Sequence, residues 1–194
     1  MRIDRFIEIH KKKTKIILLI LLAILLLGFI IYIFLGKNIS FLFKNKSTSS
    51  IINSSDNIFQ ISVDNSYNLK YSPSDKYILN IYSNDGFSLT VSKVNKYNFK
   101  LKDILISDQE NFLNLLGEYS NLSKISEKKY YNISGYTYSL NYINDIKEYK
   151  LTEFVTEIEN NLYFFDIQYP IKKEFLYKNI QENLLNSISI ISNH

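Results

Sequence analysis

The spacing of apolar positions changes character along this chain, and each change marks a new element. From Ile16 to Leu35 the sequence reads IILLILLAILLLGFIIYIFL, twenty residues without a charge. At helical rise such a run is roughly 30 Å long, the thickness of a bilayer's hydrocarbon core, and it predicts a transmembrane helix. A cleavable secretory signal would have only about 7–15 apolar residues. Gly36, Lys37, Asn38 and Ile39 also lack its small-residue cleavage pattern. No polar stripe interrupts the run, which argues against a helix buried in a globular core. Residues 36–57, GKNISFLFKNKSTSSIINSSDN, are mostly polar and Ser-rich and read as a flexible linker.

Beyond residue 57 the period shortens to two. Ile58 to Val63 alternates and is closed by Asp64, Asn65 and Ser66; Tyr67 to Tyr71 is a second short extended piece. Tyr77 to Tyr82 and Phe87 to Val94 flank Ser83-Asn84-Asp85-Gly86, a strong hairpin signal. The period then lengthens: Leu101, Leu105, Phe112, Leu115, Leu116 and Tyr119 line one face of an amphipathic helix. Its start is open between Leu101 and a capping box of Ser107 with Glu110. Extended runs follow at Leu122 to Ile133, Tyr136 to Asn144, Tyr149 to Glu159 and Asn161 to Tyr169, with Asn160-Asn161 as a tight turn. Tyr136, Tyr138, Leu140 and Tyr142 point to one side and Thr137, Ser139 and Asn141 to the other, as in a sheet with one wet face. After Pro170, the residues Phe175, Leu176, Ile180, Leu184 and Ile188 predict a C-terminal helix that covers the dry face. The order predicts an α+β fold, an antiparallel β-sheet covered by two amphipathic helices and preceded by one transmembrane helix.

Charge gives the span a direction. Residues 1–15 carry six basic and two acidic groups, whereas Lys37, Lys44 and Lys46 are the charges of residues 37–55. The heavier basic flank keeps the N-terminus cytoplasmic, so residues 1–15 are a cytoplasmic tail and residues 58–191 an extracytoplasmic domain of a single-pass membrane protein. The overall charge of +4 therefore belongs to the flanks, and residues 56–194 carry 14 basic against 17 acidic groups. That balance excludes a nucleic-acid partner, which needs Lys and Arg on the folded surface. The chain has 22 Asn, 16 Tyr and a single Ala, Ala23, the usage of an AT-rich genome.

Little catalytic chemistry is available. There is no Cys, and the two histidines, His10 and His194, sit at the ends of the chain. A Ser-His-Asp triad, a Cys-His pair and a zinc site are excluded from the domain's interior, and five scattered glycines make no phosphate loop. No cofactor or metal is expected. Carboxylates remain: Asp145, Glu148, Glu153, Glu157, Glu159 and Asp166 lie on or beside strands, where paired acids could cleave a glycan. Solvated strand edges are the favoured reading of all six. Eight tyrosines, Tyr130, Tyr131, Tyr136, Tyr138, Tyr142, Tyr149, Tyr163 and Tyr169, exceed what one small core hides. Of these, Tyr130, Tyr131, Tyr136, Tyr138, Tyr142 and Tyr163 are the candidate partner-binding aromatics, because Tyr supplies rigid contact area with a polar tip.

The stretches IFQISVDNSYNLKYS, FSLTVSKV with the helix after it, ISGYTYSLNY, LYFFDIQYP and ENLLNSISI together resemble the PsbP and Mog1-like family, which includes the DcrB-like bacterial envelope proteins. The resemblance spans residues 58–191 and departs at Asp64 to Tyr67, where the family often carries Pro and Trp. It implies a mostly non-enzymatic domain that docks on a protein partner. Sequence and resemblance together lead to a non-catalytic binding or adaptor module, anchored in the bilayer through residues 16–35 and serving an unidentified envelope or membrane protein. A glycan hydrolase with paired carboxylates is the alternative, and a transmembrane sensor is poorly served by so short a tail.

Overall fold

The structure is a computed structural model and describes residues 48–96, 99–116 and 118–191. The basic tail, the apolar run and most of the expected linker lie outside the described residues. Among those described, no helix is long and apolar enough to cross a membrane.

Strand β1 is Ser49–Asn53 and pairs antiparallel with β2, Phe59–Asp64. The expected linker of residues 36–57 is thus shortened from its C-terminal side. Polar composition hid this strand because β1 is an edge, exposed at every position except Ile52. Asp56, also inside that segment, ties the chain to the sheet: it accepts from Ser54 Oγ at 2.7 Å, Lys93 Nζ at 3.0 Å and Tyr163 OH at 3.0 Å. Burial raises the pKa of this carboxyl, but hydrogen bonds from Ser54, Lys93, Tyr163 and the Ile58 N–H outweigh it and hold the group below its ordinary value.

Past Asn65–Tyr67, a short 3-10 turn, come β3 (Lys70–Tyr71), β4 (Leu79–Tyr82) and β5 (Ser88–Asn95). Gly86, at φ +105°, makes the expected β4–β5 hairpin turn, where few other residues fit. Helix α1 is Leu101–Leu115, so packing rather than the Ser107 capping box sets its start: Lys100 makes no side-chain cap, and Leu105 is fully buried. Of the run expected from Leu122 to Ile133 only β7 (Ser126–Lys129) is strand, and Tyr119, expected on the helix face, belongs instead to β6 (Tyr119–Ser120); both strands pair with β8 (Ser134–Asn144). Asn121 at φ 53° breaks the ladder, and Ser123 bridges the gap by donating its N–H to Ser139 O and accepting from Ser139 N on its hydroxyl. At the other edge of β8, Gly135 leaves no room for a side chain, since a Cβ there would lie 1.9 Å from Val155 O.

Strands β9 (Lys147–Ile158) and β10 (Asn161–Pro170) complete the sheet, and their turn is Glu159-Asn160, both at positive φ, one residue before the expected pair. Helix α2, Glu174–Asn186, and the short β11, Ser189–Ile190, follow. The strands form an eight-stranded antiparallel sheet, β3-β4-β5-β10-β9-β8-β6 with β7 also on β8, and a three-stranded sheet, β1-β2-β11.

The two helices cover opposite faces of the large sheet, and strand alternation shows why. Tyr163, Phe165, Ile167 and Tyr169 of β10 join Phe59 and Ile61 of β2 and Ile180, Leu184 and Leu185 of α2 in the larger core. Leu162 and Phe164, the intervening residues, join Leu140, Leu151, Val155 and Leu105 of α1 in a second core. Two expectations are corrected here. The Tyr138–Leu140 face is covered by α1 rather than by the C-terminal helix, and the face of Thr137 and Ser139 is not left to solvent but shares its side with α2. Phe175 and Leu176 do not contribute to the buried face of α2; they are 92% and 51% exposed, and Tyr177 and Gln181 are buried instead.

Candidate functional site: an acid-floored cleft beside α1

Helix α1 packs chiefly on β8 and β9. The positions of β5 that share its side of the sheet are Ser88, Thr90, Ser92 and Val94, mostly hydroxyls that need no apolar cover. A cleft of about 440 Å³ opens where the helix ends its coverage, between Asp108 and Phe112 of α1 and the hydroxyl ladder of β5. One row of residues crosses four strands in register beneath it: Tyr138 opposite Glu153, Glu153 opposite Asp166, and Asp166 opposite Thr90. Directly opposed side chains of this kind have Cβ atoms about 5 Å apart, so the two carboxyls lie side by side.

The floor is unusual in its charge. Glu153 is 3% exposed; its Oε2 accepts from Tyr138 OH at 2.9 Å, and its Oε1 is buried without a hydrogen-bond donor. Burial, then the charges of Asp166 and Asp108, push its pKa up to about 9, so the side chain is a neutral acid at pH 7. Burial and Asp108 raise Asp166 to about 6, which leaves it mostly ionised. Burial together with the Glu153 charge also raises the Tyr138 hydroxyl far above its ordinary value. Among the described residues no group of acids or histidines has the geometry to hold a metal ion.

Of the six acids read from the sequence, the structure unites Glu153 and Asp166. Asp145, Glu148, Glu157 and Glu159 lie exposed on turns and rims, with Glu157 paired to Lys96 at 2.6 Å. Asp108 was not among them. It lies three residues after Leu105 and four before Phe112, an acid within the helix's apolar stripe. Glu153 likewise interrupts the inward series Leu151, Val155, and Asp166 follows Leu162 and Phe164. An acid on an inward-facing register is the signal that distinguishes these three from the solvated rims.

Three of the six candidate partner-binding tyrosines are buried, two are half-buried and one is exposed. Tyr130, Tyr138 and Tyr163 are buried and cannot offer a ring to a partner: Tyr130 stands edge-on to Phe154, and Tyr163 edge-on to Phe59. Tyr136 donates to Glu127 at 3.1 Å, and Tyr142 stacks on Tyr149 while donating to Gln168 at 2.6 Å. Tyr131 alone of the six is largely exposed, at 83%. Alternation buried these rings: each buried residue lies on a strand register, or a strand end, that faces a helix.

Compared as a sequence, the chain matches no family model and no curated protein. Compared as a fold, it is similar to cyanobacterial PsbP (CyanoP) from Synechocystis sp. PCC 6803, with a TM-score of 0.57 at 10% identity over 75% of this chain and 94% of that one. The domain has the PsbP/Mog1-like fold. Two further solved structures agree. LpqN of Mycobacterium tuberculosis matches at a TM-score of 0.52 and 11% identity over 75% of this chain and 91% of its own. The Saccharomyces cerevisiae Ran-binding protein Mog1p matches at 0.51 and 8% over 75% and 97%. These matches concern the fold alone. At such identities, the cleft of this PsbP/Mog1-like domain has to be read from its own residues.

Proposed function

We propose that this chain is a non-catalytic binding module of the cell envelope, anchored by residues 16–35 and offering the cleft beside α1 to an envelope or membrane partner. The observation that carries the reading is the cleft itself: a recess of about 440 Å³ with polar and apolar walls, at whose floor a fully buried acid has one unpartnered oxygen. Binding sites combine such concavity with a few convergent polar groups. Two structural neighbours lend support by their described roles, since LpqN is involved in cell envelope biogenesis and Mog1p binds Ran. Tethering would raise the module's effective concentration toward membrane and wall partners.

Glu153 and Asp166 also favour a second reading, a hydrolase, because one is protonated and the other ionised near neutrality. A retaining glycosidase holds its carboxyls on either side of the scissile bond. Here both rise from adjacent strands of one floor, which suits contact with a single group of a ligand better than attack across a sugar ring. A photoreactive side chain at Ser92, on the cleft wall, in the full-length protein in its native membrane, is expected to give a defined adduct that the same group at Tyr131 does not. Release of reducing sugar from wall glycan, lost in Asp166→Asn, would instead establish the hydrolase; no adduct and no hydrolysis would remove both readings.

A further inference from the structure

The walls of the cleft narrow what can occupy it. Asp108 from α1, Glu153 from β9 and Asp166 from β10 contribute three carboxyls, and among the described residues no Lys or Arg lines the recess. Tyr138 from β8 is the other ionisable group facing Glu153. Elsewhere in the domain several acids are paired with lysines, as in Lys96–Glu157, Lys128–Glu182 and Lys150–Glu174. Acids gathered without a base and partly buried repel one another, a conflict that is eased when Glu153 keeps its proton. The resolution is incomplete, because in its charged form Glu153 Oε1 has no donor to accept from. What the floor lacks is a cation carrying several N–H donors. The geometry of the described acids does not suit a metal ion. Beside the floor, Phe112, Leu151 and Phe164 form an apolar wall that suits methylenes, and Ser88, Thr90 and Ser92 offer hydroxyls at the rim.

Resting on the reading of this cleft as a binding site, we propose that it takes a primary alkylammonium group, whose N–H donors meet Asp166, Asp108 and the unpartnered oxygen of Glu153 while its alkyl stem lies along Phe112 and Phe164. An ammonium ion is a compact donor of three hydrogen bonds, which matches three carboxyls with no competing base. The chemistry has two sources, a free amine and the side chain of a lysine in a peptide or protein. Occupancy has a second consequence. A cation at the floor favours the ionised form of Glu153, so binding expels a proton that the empty site holds.

The experiment uses the full-length chain in nanodiscs, titrated by calorimetry with cadaverine, with Nα-acetyl-lysine amide and with its Nε-acetylated form as the neutral control. Buffers of different ionisation enthalpy report the protons released. The expected result is saturable binding of at least one amine probe, at least tenfold tighter at pH 8 than at pH 5.5, with proton release at pH 7 and no binding of the acetylated control. Asp166→Asn and, independently, Asp108→Asn on the helix surface should each weaken it about tenfold, with unchanged circular dichroism showing intact folds. Preference for cadaverine identifies a free amine, and preference for the lysine amide identifies a lysine side chain. No saturable binding, equal binding of the acetylated probe, or binding indifferent to both substitutions overturns the proposal. A cleft-specific photo-adduct at Ser92 that survives those results would leave the binding-module reading standing and the ammonium assignment refuted.

Discussion

Glu153 is where side-chain chemistry has its largest effect on this molecule. Its folded pKa of about 9 lies well above the ordinary 4.5, so the native state binds a proton more tightly than the unfolded chain does. The stability associated with that proton is complete below about pH 4.5 and is lost progressively as pH rises toward 9, a drift of roughly 3 kcal/mol by pH 7. Glu153→Gln mimics the protonated acid: it is neutral, and its carbonyl can still accept from Tyr138. The substitution is expected to raise the melting temperature at pH 8, leave it nearly unchanged at pH 4.5, and flatten the profile between. Equal effects at both pH values would show that Glu153 ionises freely in the folded protein. Asp56 acts in the opposite sense. Its lowered pKa adds stability above the unfolded value and loses it as pH falls through the folded one.

At the scale of elements, β1 shows how tertiary pairing overrides local composition. Ser49–Asn53 has little to bury beyond Ile52, yet five residues pair with β2, and Thr48 O accepts from Asn65 N at 3.0 Å. A chain beginning at residue 48 should therefore unfold at a higher temperature than one beginning at residue 54, by about 5 °C or more, as followed by circular dichroism. Equal midpoints would mean that β1 is dispensable. Strands β2–β5 and β8–β10, the β4–β5 hairpin and both helices were legible in the periodicity of the sequence, whereas β6 and β11 fall on residues whose pattern reads as helix. The break between β6 and β7 was not, because it depends on Asn121 adopting positive φ and on Ser123 finding Ser139 across the strand.

At the scale of the whole molecule, the charge distribution sets the expected arrangement. The basic groups of residues 1–15 flank the apolar run, and the domain beyond it is mildly acidic. Protease added outside intact cells is expected to degrade the domain and leave a short fragment containing residues 16–35 in the membrane; protection of the domain until the cells are lysed would reverse the orientation.

The sequence by itself determined the apolar run and its flanking charges, the α+β order of elements and the lack of Cys, because each follows from residue identity and local period. It also contained the three inward-facing acids as exceptions to alternation. Only the tertiary structure decided that Glu153, Asp166 and Asp108 meet, that half of the prominent tyrosines are core, and that the two helices take opposite faces. Those outcomes depend on strand register and on how far α1 reaches across the sheet, and register joins residues whose distance in sequence carries no trace of their contact.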